Sequence, residues 1–332
     1  MSVKVMGPVG ALKQAMFRFS YSELWLCLIN IQGGVSFLFW VRPLMIATEA
    51  QLRQNISQPF EEQALQALAE PMEATEVVIS TFPKCGTTWA AQIVHGLRSA
   101  GDVSFDNISE VFPWFEMGYR FGHDLSRPQK FSPHLFKSHM QLSELPAGGK
   151  VINIIRNPGD TLASYYNFWS GVLFDPAVIS IEMMARQLFL LDRSSGPQNM
   201  FRLNYYQHLV DFHATSYDGQ VLYIAYEDMK LNLPAAVRRI ARFLGLDPSR
   251  ILQQKVVEQA SFEFMSRHRE KYQERVPGGV LEMVVTGRVG DSKQKISAEL
   301  QSELDEAWQK YVTPVLGYEN YDQLVDAISL SR

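Results

Sequence analysis

Four short apolar runs, three of them followed by helical patterns, constrain the fold of this chain more than any other feature of its sequence. The runs are rich in β-branched residues, as buried strands are. They cover residues 76–80, 135–136, 151–155 and 220–225, and the helical patterns begin near Thr87, Asp160 and Pro234. Continuous apolar strands separated by helices are typical of a parallel sheet that is covered on both faces. The sequence therefore predicts an α/β fold of three layers, α/β/α, around a central parallel sheet.

The loop after the first run has the composition of an anion-binding site. Residues 81–89 (TFPKCGTTW) combine a lysine, a glycine and two hydroxyl groups with the start of a helix. Backbone N–H groups at a helix N-terminus attract anions, and Lys84 adds a full positive charge. The loop is P-loop-like, but it differs from GxxxxGK[ST] because the lysine precedes the glycine and the leading glycine is missing. An ordinary βα turn that contains a lysine is the alternative interpretation.

Two other strand ends carry candidate site residues. His139 lies just past the second strand and two residues from Lys137. An imidazole, whose ordinary pKa is near neutrality, suits the removal of a proton from an acceptor hydroxyl or amine. Arg156 follows the third strand and Ser164 lies early in the next helix, a combination that suits a terminal phosphate. The alternatives are a structural histidine and a surface ion pair of the arginine.

Four blocks of the chain together resemble the motifs of the cytosolic sulfotransferases, which use 3′-phosphoadenosine-5′-phosphosulfate (PAPS). Residues 83–89 (PKCGTTW) resemble the family's PKSGTTW loop for the 5′-phosphosulfate, and residues 136–139 (FKSH) resemble its K-T-H segment. Residues 156–166 (RNPGDTLASYY) resemble its RNPKDxxxSYY segment for the 3′-phosphate, and residues 226–230 match its YEDMK block. The blocks follow the family's order, between about residue 76 and about residue 295.

The resemblance implies the sulfotransferase fold and in-line transfer of a sulfuryl group from PAPS to a small, apolar or aromatic hydroxyl or amine acceptor. His139 would be the general base and Lys84 and Lys137 the electrostatic stabilisers, so that no metal is required. The product nucleotide would be 3′-phosphoadenosine-5′-phosphate (PAP). The implied nucleotide contacts are Lys84, Cys85, Gly86, Thr87, Thr88, Trp89, Arg156, Ser164, Tyr226, Phe262 and Arg288. The implied acceptor contacts are Phe115, Phe121, His139 and Phe168.

The chain departs from the family's pattern in two places. Cys85 stands where the family usually has serine, so a hydroxyl contact becomes a weaker thiol contact, and an exposed thiol there would be sensitive to oxidation. Residues 285–293 (VTGRVGDSK) lack the Arg-Lys pair of the family's RKGxxGDWK and have Ser292 in place of tryptophan. The candidates to replace the pair are Arg267, Arg269, Arg275 and Arg288. The family's dimer motif is not recognisable, and the oligomeric state is left open.

The N-terminal part of the chain lies outside the resemblance. Residues 25–41 are apolar, but the stretch is shorter than the about 20 residues of a spanning helix, and Asn30 and Gln32 interrupt it. We predict that residues 1–75 form an apolar helical extension and a linker, packed on or capping a sulfotransferase domain of residues 76–332. Membrane association through residues 25–41 is the less favoured alternative.

Composition excludes some function classes. The formal net charge of the 332 residues is -4, which argues against a nucleic-acid-binding protein with a broad basic face. The two cysteines, Cys27 and Cys85, form neither a disulfide framework nor a metal-ligand pattern, which favours the cytoplasm. Three alternative functions stay open: a membrane-associated sulfotransferase that acts on glycan or lipid, a P-loop kinase for a small molecule, and an inactive nucleotide-binding module.

Overall fold

A computed structural model describes residues 2–9, 12–19, 24–31, 35–40, 45–121, 125, 128–214, 219–276, 279–285, 287 and 289–330. The chain divides into two units, which contain different sheets. The first unit consists of Met1–Ile56, Trp169–Ser180 and Glu274–Leu281, and the second consists of Ser57–Phe168, Ile181–Gln273 and Glu282–Arg332. The predicted site residues fall in the second unit, with the exception of the candidate Arg275. The second unit is described in more detail below.

The first unit contains an antiparallel sheet in the order β1-β2-β3-β4. Its strands are β1 (Ser2–Val9), β2 (Leu12–Phe19), β3 (Leu24–Ile31) and β4 (Val35–Trp40). A helical extension was predicted here, whereas the first helices are α1 (Glu49–Ile56) and α2 (Glu62–Ala69). The strand sequences are rich in apolar β-branched and aromatic residues, which are common in sheets, and the register places Leu26 opposite Trp40. That residues 1–75 cap the rest of the chain stays a prediction.

Membrane association was the alternative for this region. Among the residues that the structure describes, no helix combines the length and the apolar character needed to cross a bilayer.

The second unit is built on a parallel sheet of four strands in the order β6-β5-β7-β8. The strands are β5 (Val77–Ser80), β6 (Leu135–Ser138), β7 (Lys150–Ile155) and β8 (Val221–Ala225). Each of the four predicted runs is therefore a strand, and every pairing is parallel. The predicted α/β class is confirmed, and the carboxyl ends of the strands meet at one edge of the sheet.

Helices surround this sheet, and three of them begin within two residues of the predicted starts at Thr87, Asp160 and Pro234. They are α3 (Thr87–Arg98), α4 (Pro158–Trp169), α5 (Ile181–Ala185), α6 (Tyr205–Ala214), α7 (Tyr226–Leu231), α8 (Leu233–Leu244), α9 (Arg250–Gln259), α10 (Phe262–Arg267), α11 (Ala298–Tyr311), α12 (Thr313–Leu316) and α13 (Tyr321–Leu330). Short 3-10 turns cover Ile108–Glu110, Gly118–Phe121, Leu142–Glu144, Arg269–Tyr272 and Asp291–Gln294, and a π turn covers Arg186–Leu190. Strands β9 (Gln273–Val276) and β10 (Gly279–Glu282) form a separate two-stranded sheet.

Different helices cover the two faces of the parallel sheet. On one face Ile79, Ile152 and Ile224 belong to a buried cluster with apolar residues of α3, α8 and α9. On the other face Val151 packs against Phe212 of α6. Because both faces are buried, the strands are continuously apolar instead of alternating. Because both faces of the sheet are covered by helices, the polar residues of the site lie in the loops at the carboxyl edge.

Candidate functional site

The carboxyl ends of β5 and β6 bring the loop of Lys84 next to His139. Ser80 and Ser138 are opposite each other at the ends of the two strands. The chain continues from β5 into Thr81, whose carbonyl oxygen lies 2.8 Å from Nδ1 of His139. Lys137 is part of β6 itself. The loop that contains Lys84 and the side chains of Lys137 and His139 therefore lie at one edge of the sheet.

His139 is buried and held in one tautomer. A carbonyl oxygen can only accept a hydrogen bond, so Nδ1 carries the proton that is donated to Thr81, and Nε2 is the basic nitrogen. The backbone N–H of His139 donates to Oε1 of Glu116 at 2.7 Å. The indole of Trp114 lies perpendicular to the imidazole, with 5.1 Å between the ring centroids. These contacts fix both the backbone and the ring of His139.

The surroundings of His139 keep its imidazole neutral. Burial lowers the pKa of His139 well below its ordinary value of 6.5, and the positive charge of Lys137 acts in the same direction. The charge of Lys84 also lowers this pKa, which means that both ammonium groups are within electrostatic reach of the ring. A neutral imidazole at physiological pH can accept a proton from a bound hydroxyl or amine.

Both lysine side chains lie over aromatic rings. Nζ of Lys84 is 3.6 Å from the centroid of Phe168, and Nζ of Lys137 is 3.8 Å from that of Trp114. An aromatic face attracts a cation without neutralising its charge, so both ammonium groups can still attract an anion. Lys84 also has a φ of 74°, which is uncommon for a residue with a side chain. Such backbone strain is frequent where a loop holds a ligand.

The start of α3 shapes the loop that contains Lys84. Gly86 has a φ of 113°, and a Cβ at this position would lie 3.0 Å from the ring of Tyr226, so only glycine fits. Oγ1 of Thr87 shares a hydrogen bond of 2.7 Å with Oγ1 of Thr81. Thr88 follows in the first turn of α3 and is half-buried. The N–H groups of this first turn precede the helix's own hydrogen bonds and suit an anion.

Cys85 is directed into the protein and not toward solvent. It is 1% exposed, and its Sγ lies 3.7 Å from Oγ1 of Thr161 in α4. Burial raises the pKa of Cys85 to about 12, so the thiol stays protonated. The condition for oxidation sensitivity, an exposed thiol, is therefore not met. The side chain of Cys85 therefore contacts α4, through Thr161, at the position where the family has a serine.

Arg156 joins the end of β7 to the loop. Its Nη1 donates to the carbonyl oxygen of Lys84 at 3.2 Å. Its guanidinium carbon lies 4.4 Å from the ring centroid of Tyr226. The structure thus brings together Arg156, Lys84 and Tyr226, which belong to three separate blocks of the sequence. Ser164 is half-buried further along α4.

Three predicted nucleotide contacts form an aromatic neighbourhood beside α3. Trp89 lies edge-on to Tyr226, with 5.3 Å between the ring centroids. Nε1 of Trp89 donates to the carbonyl oxygen of Ala260 at 2.7 Å, and Phe262 begins α10 two residues later. Gly287, at φ 58°, lies so close to Phe262 that a Cβ there would be 2.8 Å from its ring. Gly287 therefore reaches the same neighbourhood.

A carboxylate that the sequence analysis did not single out holds this C-terminal segment. Asp160, in the first turn of α4, accepts hydrogen bonds from the N–H groups of Gly290 at 2.6 Å and Ser292 at 2.9 Å. Arg288 and the side chain of Arg275 lie outside the described residues, so the replacement of the family's Arg-Lys pair stays a prediction. The bonds of Asp160 involve only backbone donors, so the blocks that contain Asp160, Gly290 and Ser292 did not by themselves indicate the contact.

The predicted acceptor contacts are only partly next to His139. Phe115 stacks on Phe136 at 4.5 Å inside a buried cluster, whereas its neighbour Trp114 contacts both His139 and Lys137. Trp114 forms a β-bridge with Lys137, and in an extended segment adjacent side chains point in opposite directions. This alternation is the signal that could have favoured Trp114 over Phe115. Phe168 lies at Lys84, and the side chain of Phe121 lies outside the described residues.

Comparisons with known proteins agree with the motifs. Residues 74–324 match the family model of the sulfotransferase domain. Sulfotransferase 6B1 of Pan troglodytes and of Homo sapiens are each 30% identical to this chain over 263 residues, which are 75% of this chain and 81% of theirs. Sulfotransferase 1E1 of Cavia porcellus is 27% identical over 250 residues, 71% of this chain and 82% of its own.

Solved structures share the fold. Retinol dehydratase in a complex with retinol and PAP has a TM-score of 0.59 at 16% identity, and the match covers 77% of this chain and 87% of that one. Mouse sulfotransferase SULT7A1 complexed with PAP has a TM-score of 0.56 at 18% identity, covering 82% and 94%. The predicted fold class, with its central parallel sheet, is confirmed by these neighbours.

Proposed function

This chain belongs to the sulfotransferase family, and from that premise we propose that it sulfates a hydroxyl or amine of a small, apolar or aromatic acceptor, with PAPS as donor. The observation that carries the proposal is the buried, neutral imidazole of His139 within electrostatic reach of Lys84 and Lys137. A base beside two cations suits a reaction in which a proton leaves the acceptor while negative charge develops on the leaving group.

The residues around the loop fit a nucleotide with phosphates at both ends. The first turn of α3, with Thr87 and Thr88, supplies donors for the 5′ side, and Lys84 supplies charge. Arg156 and Ser164 would hold the 3′-phosphate, since a guanidinium forms paired hydrogen bonds with phosphate oxygens. Trp89, Tyr226 and Phe262 would enclose the adenine. The related structures of retinol dehydratase and SULT7A1 contain PAP, which supports the same product nucleotide here.

The proposed mechanism is a single in-line displacement. Nε2 of His139 takes the proton of the acceptor as the acceptor's oxygen or nitrogen bonds to sulfur. The bond between sulfur and the bridging oxygen of PAPS breaks at the same time, and PAP leaves with the negative charge. Lys84 and Lys137 stabilise that charge in a site where water is largely excluded. The lysines take the electrostatic role that a metal has in many phosphoryl transferases.

The acceptor class follows from the side chains around the base. Trp114 and Phe168 bring aromatic surface to the two ammonium groups, and most small-molecule sites combine apolar walls with a few polar groups. Structures of retinol dehydratase contain retinol or androsterone, which supports a small apolar molecule for this chain as well. Small phenols, sterols and amines are the first acceptors to be assayed with PAPS.

A calorimetric titration tests the proposed donor. We expect PAP to bind without Mg²⁺, and we expect Arg156→Ala to weaken this binding because the 3′-phosphate loses its guanidinium. ATP with Mg²⁺ is titrated beside it. Binding of only ATP with Mg²⁺ would favour a small-molecule kinase, and binding of neither nucleotide would favour an inactive module. Transfer of labelled sulfate from PAPS to an acceptor then tests the reaction itself.

A cytoplasmic location is part of the proposal and rests on the resemblance to cytosolic enzymes and on the cysteine pattern. Fractionation of cells that express the full chain tests it. The protein should remain in the supernatant after a high-salt or carbonate wash of membranes. Retention in the membrane pellet would instead favour the alternative of a membrane-associated enzyme that acts on glycan or lipid.

A further inference from the structure

We propose that Glu227 and Tyr321 are positioning residues that orient Arg156 for the 3′-phosphate of the nucleotide. The proposal rests on the proposed PAPS site and adds two residues to it. Glu227 is the second residue of α7, and Tyr321 is the first residue of α13. Tyr321 lies beyond the four blocks of sequence resemblance, and no motif indicated a role for it.

The peptide group that follows Arg156 is held from both sides. Its carbonyl oxygen accepts a hydrogen bond of 2.5 Å from the hydroxyl of Tyr205. Its N–H, which belongs to Asn157, donates to Oε1 of Glu227 at 3.0 Å. Since a peptide group is planar, fixing its C=O and its N–H together fixes the orientation of the whole plane. This plane sets the direction in which the backbone leaves Arg156.

Tyr321 in turn holds the carboxylate of Glu227. The phenol hydroxyl of Tyr321 donates to Oε2 of Glu227 at 2.6 Å. Tyr321 is 7% exposed, and burial raises its pKa well above 10, so the hydroxyl keeps its proton and stays a donor. Both oxygens of Glu227 therefore have a donor, one from the C-terminal helix and one from the peptide at Asn157. The hydrogen bonds link α13 to the end of β7 through a single carboxylate.

The same turn of α7 also positions the guanidinium group of Arg156. Tyr226 immediately precedes Glu227, and its ring lies 4.4 Å below the guanidinium carbon of Arg156. Helix α7 thus contacts the peptide that follows Arg156 through Glu227, and it contacts the side chain of Arg156 through Tyr226. A paired hydrogen bond between guanidinium and phosphate depends on orientation, so loosening the peptide should weaken this contact selectively.

The experiment compares two nucleotides on full-length variants by calorimetry. PAP carries the 3′-phosphate, and adenosine 5′-monophosphate (AMP) lacks it. We expect Tyr321→Phe to weaken PAP binding by about five- to tenfold, the effect of one lost hydrogen bond of ordinary strength, and to leave AMP binding unchanged. The matched control is Ser329→Ala on the same helix, whose hydroxyl bonds to Asp228. It should leave the affinity for both nucleotides unchanged.

Further variants keep the test decisive. Tyr205→Phe removes the hydrogen bond on the other side of the same peptide and should also weaken PAP binding selectively. This variant provides the test if Tyr321→Phe is too unstable for a binding measurement. Glu227→Gln keeps an acceptor for Asn157 and should lose less PAP affinity than Glu227→Ala. Equal weakening of PAP and AMP, or no weakening, in both tyrosine variants would overturn the positioning role. A wild-type protein that does not prefer PAP over AMP would instead overturn the proposed function.

Discussion

The loop of residues 81–86 and the C-terminal segment of residues 289–292 are held in different ways, although both belong to blocks that are expected to contact the nucleotide. Side-chain contacts help to hold the loop: a hydroxyl pair joins Thr81 to Thr87, and the ring of Tyr226 packs on Gly86, beside a backbone bond of 3.3 Å from Cys85 to Phe82. Backbone N–H groups hold the C-terminal segment, since both of its bonds to Asp160 start from the main chain. A loop built by side chains depends on residue identity, whereas a segment held by its backbone depends mainly on position.

The largest effect is expected for His139→Ala, since the imidazole of His139 bonds to Thr81 at the start of the loop. Loss of a general base should reduce kcat by about 10²–10⁴-fold, with a smaller effect on PAP affinity. The control is His268→Ala, which removes a partly exposed imidazole 3.8 Å from Glu270. Steady-state sulfation of any accepted phenol, measured for both variants, checks the prediction. Near-normal turnover by His139→Ala would remove this residue from the mechanism.

Lys84→Ala should have the next largest effect. Removing one preorganised electrostatic stabiliser typically reduces kcat by about 10²–10³-fold. Lys130→Ala is a matched control, because its ammonium group also lies over an aromatic ring, 4.7 Å from the centroid of Phe131, but is well exposed. Turnover at saturating PAPS separates the two variants. Equal, small losses in both would mean that the cation over Phe168 has only a structural role.

Asp160→Ala tests the other side of the comparison. The N–H groups of Gly290 and Ser292 would lose a charged acceptor, and we expect the KM for PAPS to rise about tenfold or more with a smaller change in kcat. Asp175→Ala is the control, since this carboxylate accepts from the N–H of Ala177 at 2.9 Å in the first unit. A fall in kcat alone, with KM unchanged, would contradict a role in holding the segment against the nucleotide.

The same distinction explains which parts of the site the sequence could predict. The carboxyl ends of the parallel strands bring together Lys84, Lys137, His139 and Arg156, which lie at or just past those ends. Strand patterns are visible in a sequence, so this arrangement could be predicted. The carboxylate of Asp160 and the phenol of Tyr321 act on backbone groups or through another side chain. The sequence does not show which residues these side chains contact, so the fold is needed to reveal their roles.

The fold shows a similar division. Helix α3 begins at Thr87, as the helical spacing predicted, and α8 begins at Leu233, one residue before the predicted start near Pro234. Residues 2–40 form strands where a helical extension was expected. Their apolar runs are too short for periodicity to distinguish a buried helix from a strand. The antiparallel pairing of each run with the next one along the chain decides between the two.

The pH dependence of the rate tests whether His139, which bonds to the loop, acts as a buried base. Because burial and Lys137 lower the pKa of His139 below 6.5, its neutral, basic form persists to lower pH than for an ordinary histidine. The rate should be lost only as the pH falls through that lowered pKa, so kcat/KM at pH 6.5 should stay within about twofold of its value at pH 7.5. Lys137→Met should shift the acid limb to higher pH. An acid limb above pH 7 in the wild type would contradict the burial of the base.

The smallest effect expected is that of Cys85→Ser, although this position lies at the centre of the loop. The sulfur contacts Thr161 inside the protein, and a serine hydroxyl can form the same contact, so PAP affinity should stay within about threefold of the wild type. The native thiol should also resist a charged thiol reagent, since burial raises its pKa to about 12. Rapid modification that PAP prevents, or much tighter PAP binding by Cys85→Ser, would place this side chain at the phosphate. Even a loop built by side chains thus contains a position whose residue type the ligand does not determine, because that side chain faces α4.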